Sequence, residues 1–154
     1  MKKIEISAFD LAQRFIGVSE VVGTAANPQI LAMLRLDDKS SADDQVPWCS
    51  AFVNYVAWLL RLPRSKSLRA RSWLLVGQSV SLDEAEVGFD VVILKRGSGA
   101  QPGPDVIDAP GHVGLFAGRE GDEILVLGGN QSDSVNVSRY PSNHLLGIRR
   151  PWTF

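Results

Sequence analysis

An α+β fold, with N-terminal helices packed on an antiparallel sheet, is predicted by three features of this sequence. Apolar residues recur at helical spacing through the first half of the chain. From Phe89 onward the pattern changes to short β-rich runs separated by turn residues. The helices precede the strands instead of alternating with them, which favours segregated layers over a parallel sheet. At 154 residues the chain fits a single domain spanning 1–154.

The first predicted helix runs from Ser7 to Ile16, with Ala8, Leu11, Ala12 and Phe15 on one face and Gly17 as its stop. Asn27-Pro28 starts a second, with Pro28 at the first helical position and Ile30, Leu31 and Leu34 as its buried stripe. Residues 37–46 are polar and read as a loop. Pro47 to Leu60 carries the strongest helical pattern, through Phe52, Val53, Val56, Ala57 and Leu60. Pro47 suits its first position, with Asp44 or Gln45 near the cap, and Leu62-Pro63 ends it. Leu68 to Val76 is a further short helix closed by Gly77. Strands are expected at 89–94, 112–117, 124–128, 134–138 and 145–150, with a long Gly/Pro-rich loop over 97–111. A loop of that length inside a compact domain is usually functional or disordered. No repeat or low-complexity tract interrupts the chain.

Composition narrows the function. Sixteen Lys and Arg against seventeen Asp and Glu leave a net charge of −1, which disfavours nucleic acid as a partner. Arg61, Arg64, Lys66, Arg69 and Arg71 form a locally basic stretch, read as a solvated surface or as a patch for an anionic polymer. One cysteine allows no internal disulfide. No signal peptide is visible, because Glu5 and Asp10 interrupt any apolar run, and no apolar stretch is long enough to span a membrane. Two histidines and one cysteine at these separations match no common zinc spacing, so no metal is expected. The glycines near 97–103 and 128–129 follow no phosphate-loop pattern, and no cofactor is expected.

Three residues carry potential chemistry. Cys49 lies in PWCSAFV at the start of the strongest helix, where the helix dipole and unpaired amides favour thiolate and offer oxyanion donors. A packing role competes, because Cys49 shares a face with Phe52, Val53 and Val56 and free cysteine is commonly buried. His112, in APGHVGLF, opens a strand after the long loop and is the candidate base. His144, in PSNHLL, reads as structural or exposed. If Ala117 pairs with Glu123 around a loop over 118–122, residue 128 lies opposite His112 and Asn130 lies two farther on the same face. A register shift of two would put Asn130 directly opposite. Its amide would then fix the imidazole tautomer, unless it is only a turn residue of GGNQSD. Nucleophile, base and orienter together follow the logic of a Cys–His–Asn triad.

PWCSAFVNYVAWLL, ARSWLLVG, FDVVILKRG, GHVGLF and VLGGNQSDSVNVSRY, in this order, resemble the NlpC-like and CHAP-type papain-fold peptidoglycan hydrolases, above all a subgroup of phage endolysins and bacterial cell-wall endopeptidases. The resemblance runs from about Phe15 to Pro151 and implies a half-papain fold. It also implies hydrolysis of wall-peptide amides through an acyl-enzyme. Cys49 aligns with the family nucleophile and His112 with its base; Asn130 is the position carried over as third member, with Gln131 its nearest competitor. The long loop over 97–111 departs from the short linker expected, and would cover the cleft and alter substrate choice.

On this reading Asp43, Asp44, Trp48, Ser50, Trp73 and Gln131 are expected to line the cleft, an acidic residue there meeting an amino group of the wall peptide. Core packing is the competing role of both tryptophans. The implied partners are peptidoglycan peptide stems and either an immunity protein or a holin-type delivery system; a monomer made in the cytoplasm without a signal peptide is expected to act in the periplasm or cell wall after release or injection. Two other functions share parts of this pattern. One is a papain-fold toxin that modifies a protein as deamidase or acyltransferase. The other is a non-catalytic wall-binding module in which Cys49 is packing.

Overall fold

The computed structural model describes residues 1–23, 25–41 and 43–152. Three α-helices occur among them: α1 (Ala8–Ala12), α2 (Pro28–Arg35) and α3 (Cys49–Leu59). Six strands follow: β1 (Gln78–Val80), β2 (Val91–Leu94), β3 (His112–Glu120), β4 (Glu123–Gln131), β5 (Ser134–Pro141) and β6 (Leu145–Arg150). They form one antiparallel sheet in the order β1-β6-β2-β3-β4-β5.

Local chemistry explains most boundaries. Ser7 and Asp10 form a reciprocal capping box on α1, which tightens to a 3-10 turn over Gln13–Phe15 and stops at left-handed Gly17. Asn27 caps α2 through the Gln29 amide, with Pro28 at the first helical position. The third helix begins two residues later than the Pro47 start expected. Trp48 is its cap residue, with no side-chain cap bond, so neither Asp44 nor Gln45 fills that place. Cys49 is therefore the first helical residue. Residues Ala70–Leu75 form a 3-10 helix, and the short edge strand β1 had no alternating pattern long enough to predict it.

The sheet separates two apolar clusters. Helices α1–α3 and the 3-10 helix pack on one face, over Val91, Ile93, Val113, Leu115 and Leu127. The other face holds Val92, Leu94, Phe116, Ile124, Val126 and Ile148. Strand β2 thus buries both of its faces, which is why it reads as an unbroken apolar run.

The β3–β4 hairpin corrects the predicted register. Glu120 pairs with Glu123 across a two-residue turn, so the strands run three residues longer than a loop over 118–122 would allow. A bulge between Phe116 and Gly118 then sets Leu115 opposite Leu127. A second irregularity lies between Gly128 and Gln131 in the pairing of β4 with β5, where Asn130 takes a left-handed φ of 56°. Ser132 and Asp133 close the β4–β5 hairpin, both at positive φ, as a type I′ turn requires.

Two inward-turned arginines, Arg64 partly buried and Arg71 fully so, organise the loops. Arg64 bonds both Asp37 carboxylate oxygens at 2.8 Å. Arg71 is fully buried and donates to four carbonyls of the long loop, those of Pro102, Gly103, Val106 and Pro110. With Arg64 and Arg71 turned inward, the basic stretch over 61–71 offers only Arg61, Lys66 and Arg69 to a polyanion. No helix among the described residues is long and apolar enough to cross a membrane.

Candidate active site

Cys49 opens α3, which packs on β3 and β4, and His112 opens β3. Cys49 is held there by its neighbours in sequence: Trp48 packs under Gly129, where an added Cβ would come 2.6 Å from the indole ring. The Val113 amide donates to the Cys49 sulfur, so the thiol lies against the backbone of the residue that follows His112. Cys49 is 3% exposed. Burial pushes the thiol above its ordinary value and outweighs what opposes it: the Val113 amide, the Arg96 charge, and the Ser50 and Cys49 amides of the first helical turn. The resting group is a neutral thiol.

His112 opens β3 opposite Leu94 and is 8% exposed. Its Nε2 lies 2.9 Å from Oε1 of Gln131. The direction of this bond follows from the rest of the amide. Gln131 Nε2 donates to the carbonyls of Asn136 (2.7 Å) and Val126 (3.2 Å), groups that can only accept. The amide oxygen must therefore face the ring, and Nε2 must carry the proton. Nδ1 keeps its lone pair as the basic nitrogen. Burial lowers the imidazole below its ordinary 6.5, the Gln131 bond opposes that, and the Arg96 charge adds to it, so the ring is neutral.

Tyr140 completes the group. Its ring stacks on His112 with centroids 5.3 Å apart, and its hydroxyl donates to Gln131 Oε1 at 3.1 Å. Burial, reinforced by the neighbouring Cys49, pushes the phenol up to about 12, so it remains a donor. Asn136 holds Gln131 from the far side, donating to its backbone carbonyl.

The third position therefore differs from the expectation. Continuing the Leu115–Leu127 register would place Asn130 opposite His112, but the irregularity at 128–131 turns Asn130 left-handed and brings Gln131 onto the imidazole. Asn130 lines the open cleft instead. This cleft, about 350 Å³, lies over His112 and is also bounded by Lys95, Arg96, Tyr140 and His144. His144, read as structural or exposed, thus borders the same cleft as the base.

Most residues expected to bind substrate hold the scaffold. Asp44 is buried and accepts from the amides of Val21 and Asn27, which ties the first loop to the approach of α3. Trp48 is buried and donates to Glu20. Ser50 is buried, donating to the Ser67 carbonyl and accepting from Trp73, itself buried. Asp43 is exposed and closes a turn with the Gln45 amide. Sequence reasoning missed Tyr140, Asn136 and Arg96. Tyr140 could have been found by extending the β5 alternation two residues past Ser138; Arg96 carried no signal. No cluster of three or more His, Cys, Asp and Glu suited to a metal occurs among the described residues.

No protein-family sequence model and no curated protein matches the chain. Solved structures do. NlpC1 and NlpC2 from Trichomonas vaginalis match at TM-scores of 0.54 and 0.56, with 16% and 15% identity, over 99% of this chain and 47% and 49% of theirs. An NlpC/P60 family protein from Bacillus cereus matches at 0.53 with 14% identity, over 96% of this chain and 40% of that one. The chain spans less than half the length of each of these structures. Helices on an antiparallel sheet, with the cysteine at a helix start and the histidine at a strand start, make this chain an NlpC-like, half-papain α+β fold.

Proposed function

We propose that the chain is a thiol hydrolase of bacterial cell-wall peptide, one catalytic domain over 1–154, with Cys49 as nucleophile and His112 as base. The observation that carries this reading is the fixed tautomer of His112: Gln131 occupies Nε2, so Nδ1 is the basic atom beside a strand whose next amide bonds the cysteine sulfur. Nδ1 takes the thiol proton as sulfur attacks a peptide carbonyl, forming the C–S bond. The Cys49 N–H and a neighbouring donor hold the tetrahedral oxygen. His112 returns the proton to the leaving amine as the C–N bond breaks, then activates water to free the acyl-enzyme. Gln131 orients the ring throughout. Burial pushes the thiol up and the imidazole down, which favours deprotonation in concert with attack. The NlpC-like fold supports wall peptide as the substrate class and an endopeptidase as the form of activity. A monomer reaching the periplasm or wall by holin-type release or injection, with an immunity protein as its counterpart, completes the proposal.

The test is digestion of purified peptidoglycan with mass analysis of released fragments. Wild type is expected to release peptide fragments, and folded Cys49→Ala none. Lytic activity retained in that variant refutes the assignment. One observation favours a second reading, a wall-binding module with an inert thiol: the sulfur is nearly sealed from solvent. Thiol alkylation separates them, since a module without chemistry gives a rate that is unchanged by His112→Ala.

A further inference from the structure

We propose that Tyr140 is a positioning residue for the base: by donating its hydroxyl to Gln131 Oε1, the oxygen that also receives His112 Nε2–H, it holds the imidazole uncharged at rest. This rests on the hydrolase reading above and concerns the regulation of that same site.

The device follows from the alternation of β5. Asn136, Ser138 and Tyr140 occupy every second position, so their side chains share one face of the strand. On that face Asn136 grips Gln131 from both ends. Its carbonyl and Oδ1 accept from Gln131 Nε2 at 2.7 and 3.0 Å, and its Nδ2 donates to the Gln131 carbonyl at 2.6 Å. Ser138 donates to Asn136 Oδ1 and fixes that amide in turn. Tyr140 reaches the remaining place, 3.1 Å from Gln131 Oε1. The Gln131 amide is then saturated, with two donors on its oxygen and acceptors for both of its N–H bonds. The Asn136 and Val126 carbonyls already orient Gln131. The Tyr140 hydroxyl is surplus to that task and acts on the oxygen itself.

A proton added at His112 Nδ1 makes the Nε2–H···Oε1 bond charge-assisted and stronger. That gain favours the imidazolium. A second donor on the same oxygen draws on the same electron density and reduces the gain. The stacking of the two rings, with centroids 5.3 Å apart and planes 30° apart, fixes where the hydroxyl falls. Other groups around the imidazole do not supply a competing negative charge. Cys49 faces it from α3, Lys95 and Arg96 from the turn after β2, and His144 from the 3-10 turn before β6; no carboxylate residue among the described ones borders the cleft. Burial and the Arg96 charge act in the same direction as Tyr140, against the imidazolium.

The experiment titrates the His112 imidazole directly, by NMR of its Cε1–H group in the full chain without substrate. His144 is the other histidine, and His144→Gln assigns the signals. Tyr140→Phe keeps the stacked ring and removes only the donor. The His112 midpoint is expected to rise by roughly 0.5–1 pH unit, the value of one neutral hydrogen bond. A second protein covers the case in which phenylalanine unsettles the site. Tyr55 and Tyr140 are the two tyrosines, so a ring-fluorinated tyrosine incorporated in a Tyr55→Phe background alters Tyr140 alone and makes it a stronger donor. There the midpoint should fall, and the acid limb of kcat/KM should follow the midpoint in both proteins. A merely structural role would not give opposite shifts from two rings that pack alike. An unchanged or lowered midpoint in Tyr140→Phe, or a raised one with the fluorinated ring, overturns the proposal. Fragment release is read separately. Midpoints that move as expected in a chain that releases no wall fragments sink the hydrolase reading and leave the role of Tyr140 standing. Release that continues with an unmoved midpoint sinks the Tyr140 proposal alone.

Discussion

Gln131 Oε1 lies 2.9 Å from His112 Nε2, and the Asn136 and Val126 carbonyls that hold its amide nitrogen leave the side chain only one orientation. Gln131→Met, which keeps the volume but cannot accept from the ring, is expected to lower kcat by roughly 10²-fold, the lower end of what a correctly poised base contributes. Asn130→Ala should stay within about threefold, because Asn130 only borders the cleft. Steady-state kinetics on both variants decides between them; the reverse ranking would move the orienting role back to Asn130.

The pH profile follows from the directions of two shifts. His112 sits below 6.5 through burial, so the basic form persists as pH falls past 6.5. Activity is then lost only when pH drops through the depressed value, and the acid limb of kcat/KM lies below 6.5. Burial raises Cys49 above 9.0, so its alkylation by iodoacetamide should still be accelerating at pH 9. A reaction rate that is already flat near neutrality would mean a preformed thiolate and contradict the neutral pair.

Arg71 sets the long loop. Arg71→Met removes the donor shared by four carbonyls, and the loop can recover their hydrogen bonds only by opening to water. A loss of about 2–4 kcal/mol is expected in denaturant unfolding. New proteolytic cuts should appear near Pro102–Val106. Unchanged stability and protection would show that the loop is held by something else.

Gly129 tests the seat of the nucleophile. A Cβ there would lie 2.6 and 2.8 Å from Trp48 ring atoms and 2.9 Å from Phe52 Cβ. Gly129→Ala should cost about 1–3 kcal/mol by overpacking and shift Trp48 emission. It should also depress kcat, because Trp48 is bonded to Cys49. Gly103→Ala, which meets nothing within 4 Å, is the matched control and should leave the melting temperature unchanged.

Much of this was readable in the residues themselves. Asn27-Pro28 marked the start of α2, and the alternation after Phe89 marked the sheet. Cys49 on a helix tip and His112 on a strand tip followed from local pattern alone. What pattern could not supply was register. Two irregularities in β4 and its partners decide whether residue 130 or 131 faces the ring, and a slip of one residue reverses a strand's faces. The same gap explains the substrate-lining residues. Asp44, Trp48, Ser50 and Trp73 lie near Cys49 in sequence or in space but are buried, with their polar atoms bonded inside the scaffold: Trp73 to Ser50, Trp48 to Glu20, and Asp44 to the amides of Val21 and Asn27. Arg96 was invisible because only the fold brings it to the cleft that His112 borders.

The near-complete enclosure of the Cys49 sulfur has a cost and a benefit beyond turnover. Peroxide and disulfide exchange both require an ionised sulfur that small reagents can touch. A buried cysteine whose thiol burial holds above its ordinary value meets both conditions poorly. Oxidation by peroxide and disulfide exchange with a second copy are therefore both expected to be slower at Cys49 than at an exposed cysteine of ordinary acidity.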